Sequence, residues 1–133
     1  MSQTNVDLVW VKTYEAEGTI TANSLVILGT ASNQAIIPSS ATTHPLGVAI
    51  EDAADDEPVK VCIIGDVYII DHVGSLNRGD RIFGSTTSSY YHTVIVATQG
   101  THGTFGTVIG DDAATADDVV LCRVNFAKPA DIA

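Results

Sequence analysis

The sequence predicts an all-β protein, a small β-barrel or sandwich of about ten short strands with a mobile N-terminal arm. Three observations lead to this prediction. No segment keeps the 3.6-residue apolar period of a capped helix. Short runs rich in β-branched and aromatic residues alternate with glycine, proline and aspartate turns along the chain. Two stretches also resemble each other, and each has the pattern of a β-hairpin.

The repeated unit is a glycine-led strand, an acidic turn and an apolar return strand. It covers Leu46–Ile70 and occurs again, in weaker form, at Phe105–Asn125. Because a hairpin cannot bury its apolar face alone, we expect the two copies to pack into one sheet system. Gly47 aligns with Gly106. If each supplies a backbone conformation closed to other residues, replacement by valine should be poorly tolerated at either position.

The remaining strands are short and lie between clusters of turn residues. The alanine-rich acidic turns contain too much aspartate for more than a single helical turn. In chain order, the runs with strand character are Leu8–Thr13, two pieces within Thr19–Gly29, Gln34–Ile37, a turn and strand at Gly79–Gly84, and Tyr90–Thr98.

The return strand Val59–Ile70 is apolar on both faces, whereas a strand wetted on one side alternates more cleanly. One face carries Val59, Val61, Ile63, Val67 and Ile69, and the other carries Cys62, Ile64, Tyr68 and Ile70, interrupted by Lys60 and Asp66. We therefore expect another sheet or another subunit to cover part of the second face. Ile64, Tyr68 and Ile70 are the candidate oligomer interface.

Length and composition favour one soluble domain. The chain has 133 residues, of which 45% are apolar and 17% charged. The sequence divides into an N-terminal arm with the first strand (1–16), a β-rich domain (17–126) and a loose tail (127–133). A net charge of −10 opposes binding to a phosphate backbone. No apolar run approaches membrane-spanning length, and no signal peptide is evident, so we expect synthesis in the cytoplasm and no membrane partner.

The residues with chemical potential do not form a recognisable catalytic or cofactor site. The four histidines are scattered, and no serine lies in a nucleophile elbow. Cys62 and Cys122 fall in apolar strands, where a thiol is inert. The two acidic turns offer oxygen ligands to calcium but lack the spacing of a dedicated loop. Arg78-Gly79-Asp80 spells an adhesion tripeptide, although a turn before a strand explains it more simply. We therefore predict no enzyme, no cofactor and no metal.

Several segments together resemble a known family. They are EGTITANSLVILG near the start, LGVAIEDA, the IIGDVYI strand, the turn at Gly79-Asp80 and the closing FGTVIGDDA and DVVLCRVNF segments. This pattern, from about Glu17 to Phe126, is similar to that of the decoration, or cement, proteins of tailed-bacteriophage heads. The resemblance rests on the placement of glycines and on strand rhythm.

The resemblance implies a non-enzymatic protein that joins the outer surface of a completed capsid. Such proteins often form homotrimers and bridge neighbouring major capsid subunits, which stabilises the shell. The resemblance also implies a virion location after folding in the host cytoplasm. The N-terminal segment, with Val6, Leu8 and Trp10, would then contact the capsid.

Two other hypotheses stay open. The chain is alternatively a head- or tail-associated module that binds host glycan or protein through the loops Ser39–Pro45, Ser85–Tyr91 and Gln99–Gly103. Its contacts would be Tyr90, Tyr91 and His92, because aromatic side chains give large contact areas at low entropic cost. A small enzyme is the third hypothesis, and it would need a deep pocket with converging carboxylates and a histidine.

Overall fold

The structure is a computed structural model that describes residues 7–40, 45–72, 74, 76–86, 89–96, 104–111 and 118–127. These residues form nine β-strands and no helix, which confirms the all-β prediction. None of the described segments is a helix long and apolar enough to cross a membrane. The strands are β1 (Asp7–Ala16), β2 (Leu25–Leu28), β3 (Gln34–Ile36), β4 (Gly47–Ala49), β5 (Pro58–Asp71), β6 (Arg81–Gly84), β7 (Val94–Val96), β8 (Gly106–Val108) and β9 (Asp118–Asn125).

The nine strands join one hydrogen-bonded sheet in the order β1-β3-β2-β4-β5-β9-β8-β6-β7. β5 also pairs with β1, antiparallel, from Asp7↔Asp66 to Glu15↔Pro58. The pairings therefore return to the first strand and close a ring of β1, β3, β2, β4 and β5. The other strands continue from β5 through its antiparallel ladder with β9. All ladders are antiparallel except β1–β3.

The two predicted hairpins are confirmed. β4 pairs with β5, and Val48 lies opposite Cys62. β8 pairs with β9, and Val108 lies opposite Cys122. These four side chains are buried in the same apolar cluster. The sequence repeat thus places its two cysteines in equivalent positions of one core.

Two apolar cores lie on opposite faces of the central strands. The first, which we call the ring core, is formed by side chains from all five strands of the ring and includes Tyr14, Val26 and Val61. The second joins Leu25 and Val48 to side chains of β5 to β9. Because successive residues of a strand point to opposite faces, β2, β4 and β5 supply side chains to both cores. The middle of the sheet is therefore buried on both sides.

One sequence-based expectation for β5 is wrong. Val59, Val61 and Ile63 lie in the ring core, but Val67 and Ile69 lie in the other core. The change of face falls at Gly65, whose φ is +149°, beside register shifts in the β1 ladder around Trp10. Such irregularities redirect the side chains that follow. The expected single apolar face is therefore divided between two cores.

The predicted strand Tyr90–Thr98 is wrong in its first half. The observed strand, β7, begins at Val94. The N–H and the Oγ1 hydroxyl of Thr93 both donate to the carbonyl of Tyr90, at 3.0 and 2.7 Å. This local hydrogen bonding holds the preceding residues in a turn, as threonine hydroxyls commonly do.

The first predicted strand is longer than expected. β1 extends from Asp7 to Ala16 and buries Tyr14 and Ala16 in the ring core. Residues 1–6 of the expected mobile arm lie outside the described residues. The part of the arm that is described is held by β5, so it shares the sheet of the domain that follows.

Candidate functional site

Three consecutive large apolar side chains are exposed near the start of β1. Leu8 is 39% exposed, Val9 71% and Trp10 46%. We call these three residues the β1 patch. β1 is covered by β5 along one edge but pairs with β3 only at Glu15 and Ala16. The predicted contact residues Leu8 and Trp10 are thus both exposed on the same strand, while Val6 lies outside the described residues.

The β1 patch borders an open groove of about 600 Å³ between β1, β2 and β5. Its lining includes Trp10 and Lys12 of β1, Leu28 of β2, Ile63 of β5 and Phe126, which follows β9. Leu28 is 62% exposed. Lys12 is the only charged side chain among the described residues that line the groove, and its Nζ lies 5.4 Å from the ring centroid of Tyr14. The groove is therefore an apolar depression with a single positive charge.

The three candidate oligomer residues are all half-buried within the single chain, and Asp66, which pairs with Arg123, separates Ile64 from Tyr68 and Ile70 along β5. Ile64 packs partly against the ring core. Tyr68 and Ile70 lie opposite Leu121 and Val119 of β9. Val119 is 37% exposed, so the apolar stripe continues onto β9.

The stripe on β5 and β9 ends at an ion pair. Asp66 receives two hydrogen bonds from the Arg123 guanidinium, at 2.9 and 3.2 Å. These bonds raise the pKa of Arg123. The outer face of β5 and β9 therefore combines an apolar stripe with one charged end.

The acidic side chains of the first predicted turn fix loops. Asp52 accepts a hydrogen bond from the N–H of Ala22, and Asp55 accepts one from Gly18, both at 2.7 Å. Glu57 accepts one from Ala54 at 2.8 Å. No group of three metal-ligating side chains occurs in the part of the chain that the structure describes. In this structure, Asp52 and Asp55 join the loop before β2 to the loop before β5, and Glu57 forms its hydrogen bond within the second of these loops.

The residues of the alternative binding module are partly engaged within the chain. The Tyr90 ring stacks on His72 with a centroid distance of 3.4 Å and an interplanar angle of 11°. His92 lies 6.4 Å from the same Tyr90 ring. Most of the loop residues expected to flank them, 41–44, 87–88 and 99–103, lie outside the described residues. Among the described residues of these loops, the structure thus provides one half-buried stacking pair and no complete loop-based site.

The adhesion tripeptide is a structural turn. Gly79 has a φ of +94°, and its N–H donates to the carbonyl of Val108 at 2.8 Å. The Asp80 carboxylate accepts the N–H of Asn77 at 2.8 Å. Arg78 donates to Gly110 and pairs with Asp111 at 3.0 Å. These contacts hold the turn against the second hairpin.

The cysteines are free and buried. Desolvation, with a smaller effect from Asp66, raises the pKa of Cys62 to about 11. Desolvation and the charge of Asp71 raise the pKa of Cys122 to about 12. Because the thiolate is the reactive form, both thiols are unreactive near neutral pH, as the sequence predicts.

Sequence reasoning missed Val9 and Leu28 as surface residues. Both belong to consecutive apolar runs, Leu8–Trp10 and Leu25–Leu28. Such a run must place apolar side chains on both faces of a strand. In a strand at the edge of a fold, one of those faces meets solvent, and this signal was available in the sequence.

Comparison with known proteins agrees with the resemblance found in the sequence. The family model described as phage cement protein matches residues 6–124. The solved structure titled the head fiber gp8.5 N base in bacteriophage phi29 aligns with a TM-score of 0.63 at 17% identity, covering 90% of this chain and 97% of that chain. At that identity the likeness shows the fold alone. No curated protein matched the chain. Because the family model spans most of its length, this chain belongs to the phage cement protein family, whose members are structural proteins of the phage head.

Proposed function

We propose that this protein binds the outer surface of a phage head and stabilises the shell by bridging neighbouring major capsid subunits. It acts as a homotrimer and without catalysis, and it folds in the host cytoplasm before assembly. The segment 1–16 serves as the attachment arm of the domain 17–126, and residues 127–133 form a tail. The free state of both cysteines is compatible with folding in a reducing compartment.

The observation that carries the proposal is the β1 patch. Exposed apolar clusters beside a groove commonly mark protein interfaces, and here the cluster lies on a protein with a net charge of −10. Tryptophan is enriched among residues that dominate binding energy. Membership of the cement family supplies the class of partner, the phage capsid.

The binding test uses undecorated heads of the phage that encodes the protein. Wild-type protein should sediment with the heads. Trp10→Ala should weaken binding by ~2 kcal/mol, roughly thirtyfold, because it removes a large exposed anchor. Val96→Ala, at a valine that is 38% exposed on β7, should bind normally. A wild-type protein that stays in the supernatant at every concentration tested contradicts the proposal.

The trimer is tested separately by mass in solution. Ile70→Arg places a charge in the apolar stripe of β5 and β9, where burial of an unpaired charge is costly. We expect a trimer for the wild-type protein and a smaller species for the variant. Val96→Arg is the matched control and should leave the mass unchanged. A wild-type monomer at micromolar concentration, or an Ile70→Arg protein of full trimer mass, argues against this interface.

A further inference from the structure

We propose that the open edge of β1 receives an extended segment of the capsid protein as an added β-strand, whose apolar side chains enter the groove. This inference rests on the proposed function and names how the same surface would hold its partner. It follows from two independent features, the unpaired backbone of β1 and the chemistry of the groove beside it.

Among the described residues, the backbone of β1 has one covered edge and one edge that is open before Glu15. The N–H of Ala16 donates to Glu57 on the β5 side, and the N–H of Glu15 donates to Asn33 on the β3 side, both at 2.8 Å. The backbone N–H and C=O groups of successive residues in a strand point alternately to one edge and to the other. Val11 and Thr13, like Glu15, therefore direct these groups to the β3 side. No described strand pairs with β1 there before Glu15.

An open edge of this kind selects an extended backbone. Unpaired N–H and C=O groups in a row are a template for another strand and do not match a helix. Natural edge strands are commonly protected by charges or prolines, but between Leu8 and Tyr14 this one carries a single charge, Lys12, beside the exposed apolar β1 patch. The site therefore accepts a strand, and its affinity would come from backbone pairing as well as side-chain burial.

The groove defines the chemistry of that strand. Trp10 and Lys12 face the groove from β1, and Leu28 faces it from β2. A strand beside β1 would place every second side chain above this groove. Those side chains must be apolar to match its walls. One acidic side chain would match Lys12, because no acidic residue is present among the described residues of the lining.

A second copy of this chain is a poorer occupant. If a second copy docked through this same surface, the strand that it presented would be its own β1, which is already paired with the β5 of that copy. The side chains of that strand, such as Trp10 and Lys12, face its own groove. A second β1 could continue the open edge, but it could not fill the neighbouring groove. A separate segment of the capsid protein satisfies both features.

Amide hydrogen exchange on decorated heads tests the pairing directly. In the free protein, the amides of Val11 and Thr13 should exchange rapidly, while those of Lys12 and Tyr14 are protected by β5. On the head, Val11 and Thr13 should become protected by at least about tenfold. Unchanged exchange at both positions on the head overturns the strand addition. Protection in the free protein that grows with its concentration would identify a second copy as the occupant and also overturn it.

A proline substitution gives a second test by binding. The N–H of Thr13 has no acceptor among the described residues. Thr13→Pro removes this N–H and places the proline ring at the open edge, and edge strands tolerate a proline whose N–H position faces outward. We expect binding to heads to weaken by roughly tenfold or more. Thr13→Ala keeps the N–H and should bind within about twofold of the wild-type protein.

The outcomes separate this inference from the proposed function. If the wild-type protein does not bind heads, the proposed function fails. If Trp10→Ala weakens binding while Thr13→Pro binds normally, attachment through β1 stands and the strand addition is wrong. Unfolding curves of the free variants show whether Thr13→Pro has kept its fold, and the exchange experiment on the wild-type protein decides if it has not.

Discussion

The glycines of the two hairpins are constrained by space and not by backbone conformation. The described glycines with positive φ are Gly18, Gly65, Gly74 and Gly79, so neither Gly47 nor Gly106 is among them. A Cβ at Gly47 would lie 2.5 Å from the carbonyl oxygen of Cys62, and one at Gly106 would lie 2.6 Å from that of Arg123. Each glycine thus allows the first strand of its hairpin to approach the return strand.

This close approach predicts that alanine is already too large. Gly47→Ala should lower the free energy of unfolding by about 1–3 kcal/mol, because backbone atoms must move apart. Gly106→Ala should lower the free energy of unfolding by less. The added Cβ at Gly106 would lie 3.0 Å from Val124 Cγ1, whereas a Cβ at Gly47 would lie 2.6 Å from Val61 Cγ1. Urea denaturation measures both. Wild-type stability of Gly47→Ala would show that the close contact is easily relieved.

The buried thiols predict a loss of stability in alkaline solution. Both pKa values are raised by folding, to about 11 and about 12, so the neutral thiol is favoured in the folded state. The stabilisation is complete below the unfolded pKa, near 8.5, and is lost as the pH rises through the folded values. Each thiol should contribute a slope of up to about 1.4 kcal/mol per pH unit.

Urea midpoints at pH 8, 9 and 10 measure this slope. Burial also raises the pKa of Tyr14, so a control must keep that tyrosine. The double variant Cys62→Ala and Cys122→Ala is less stable at pH 8 because of its cavities, but its stability should change less between pH 8 and pH 10. Equal slopes for the two proteins would exclude the thiols as the cause.

At the scale of elements, Gly65 is the position where β5 changes faces. Its φ of +149° favours glycine, and a Cβ there would lie 2.5 Å from the carbonyl oxygen of Asp7. Gly65→Ala should therefore separate the start of β1 from β5 at a cost of about 1–3 kcal/mol. Faster amide exchange at Leu8 and weaker binding to heads should accompany the loss. Exchange that stays at the wild-type rate would show that β1 is held elsewhere.

The hairpins and most strands were predictable because their signals are local. Glycine-led runs, acidic turns and β-branched residues identify β4, β5, β8 and β9 from the sequence alone. The division of β5 between two cores was not predictable, because it depends on the pairing of Leu8 with Gly65, residues distant in the chain. The turn at Tyr90 is held by local hydrogen bonds from Thr93, but it escaped prediction because aromatic and β-branched residues favour a strand by composition.

The candidate site was predictable only in part. Leu8 and Trp10 stood out as apolar residues near one end of the chain, and both are exposed. The groove was not visible in the sequence, because its walls come from β1, β2 and β5 together with the residues that follow β9. Strand patterns locate apolar faces, but only the three-dimensional pairing shows which of them remain uncovered.

At the scale of the whole molecule, charge and apolar surface predict opposite responses to salt. The chain carries 16 acidic and 6 basic residues. If acidic turns attached it to a basic capsid surface, salt would weaken binding as the screening length falls from about 10 Å at 0.1 M to about 3 Å at 1 M. Burial of the β1 patch depends on the hydrophobic effect, which simple charge screening does not reduce.

We therefore expect the fraction of protein bound to heads to stay constant or rise between about 0.1 M and about 1 M NaCl. Sedimentation with heads measures it, and the major capsid protein in the pellet controls for loss of the heads themselves. Trp10→Ala should bind more weakly at both salt concentrations by the same factor, because its lost contact is apolar. Release of the wild-type protein at high salt, with intact heads, would instead assign attachment to the acidic surface and remove the β1 patch from that role.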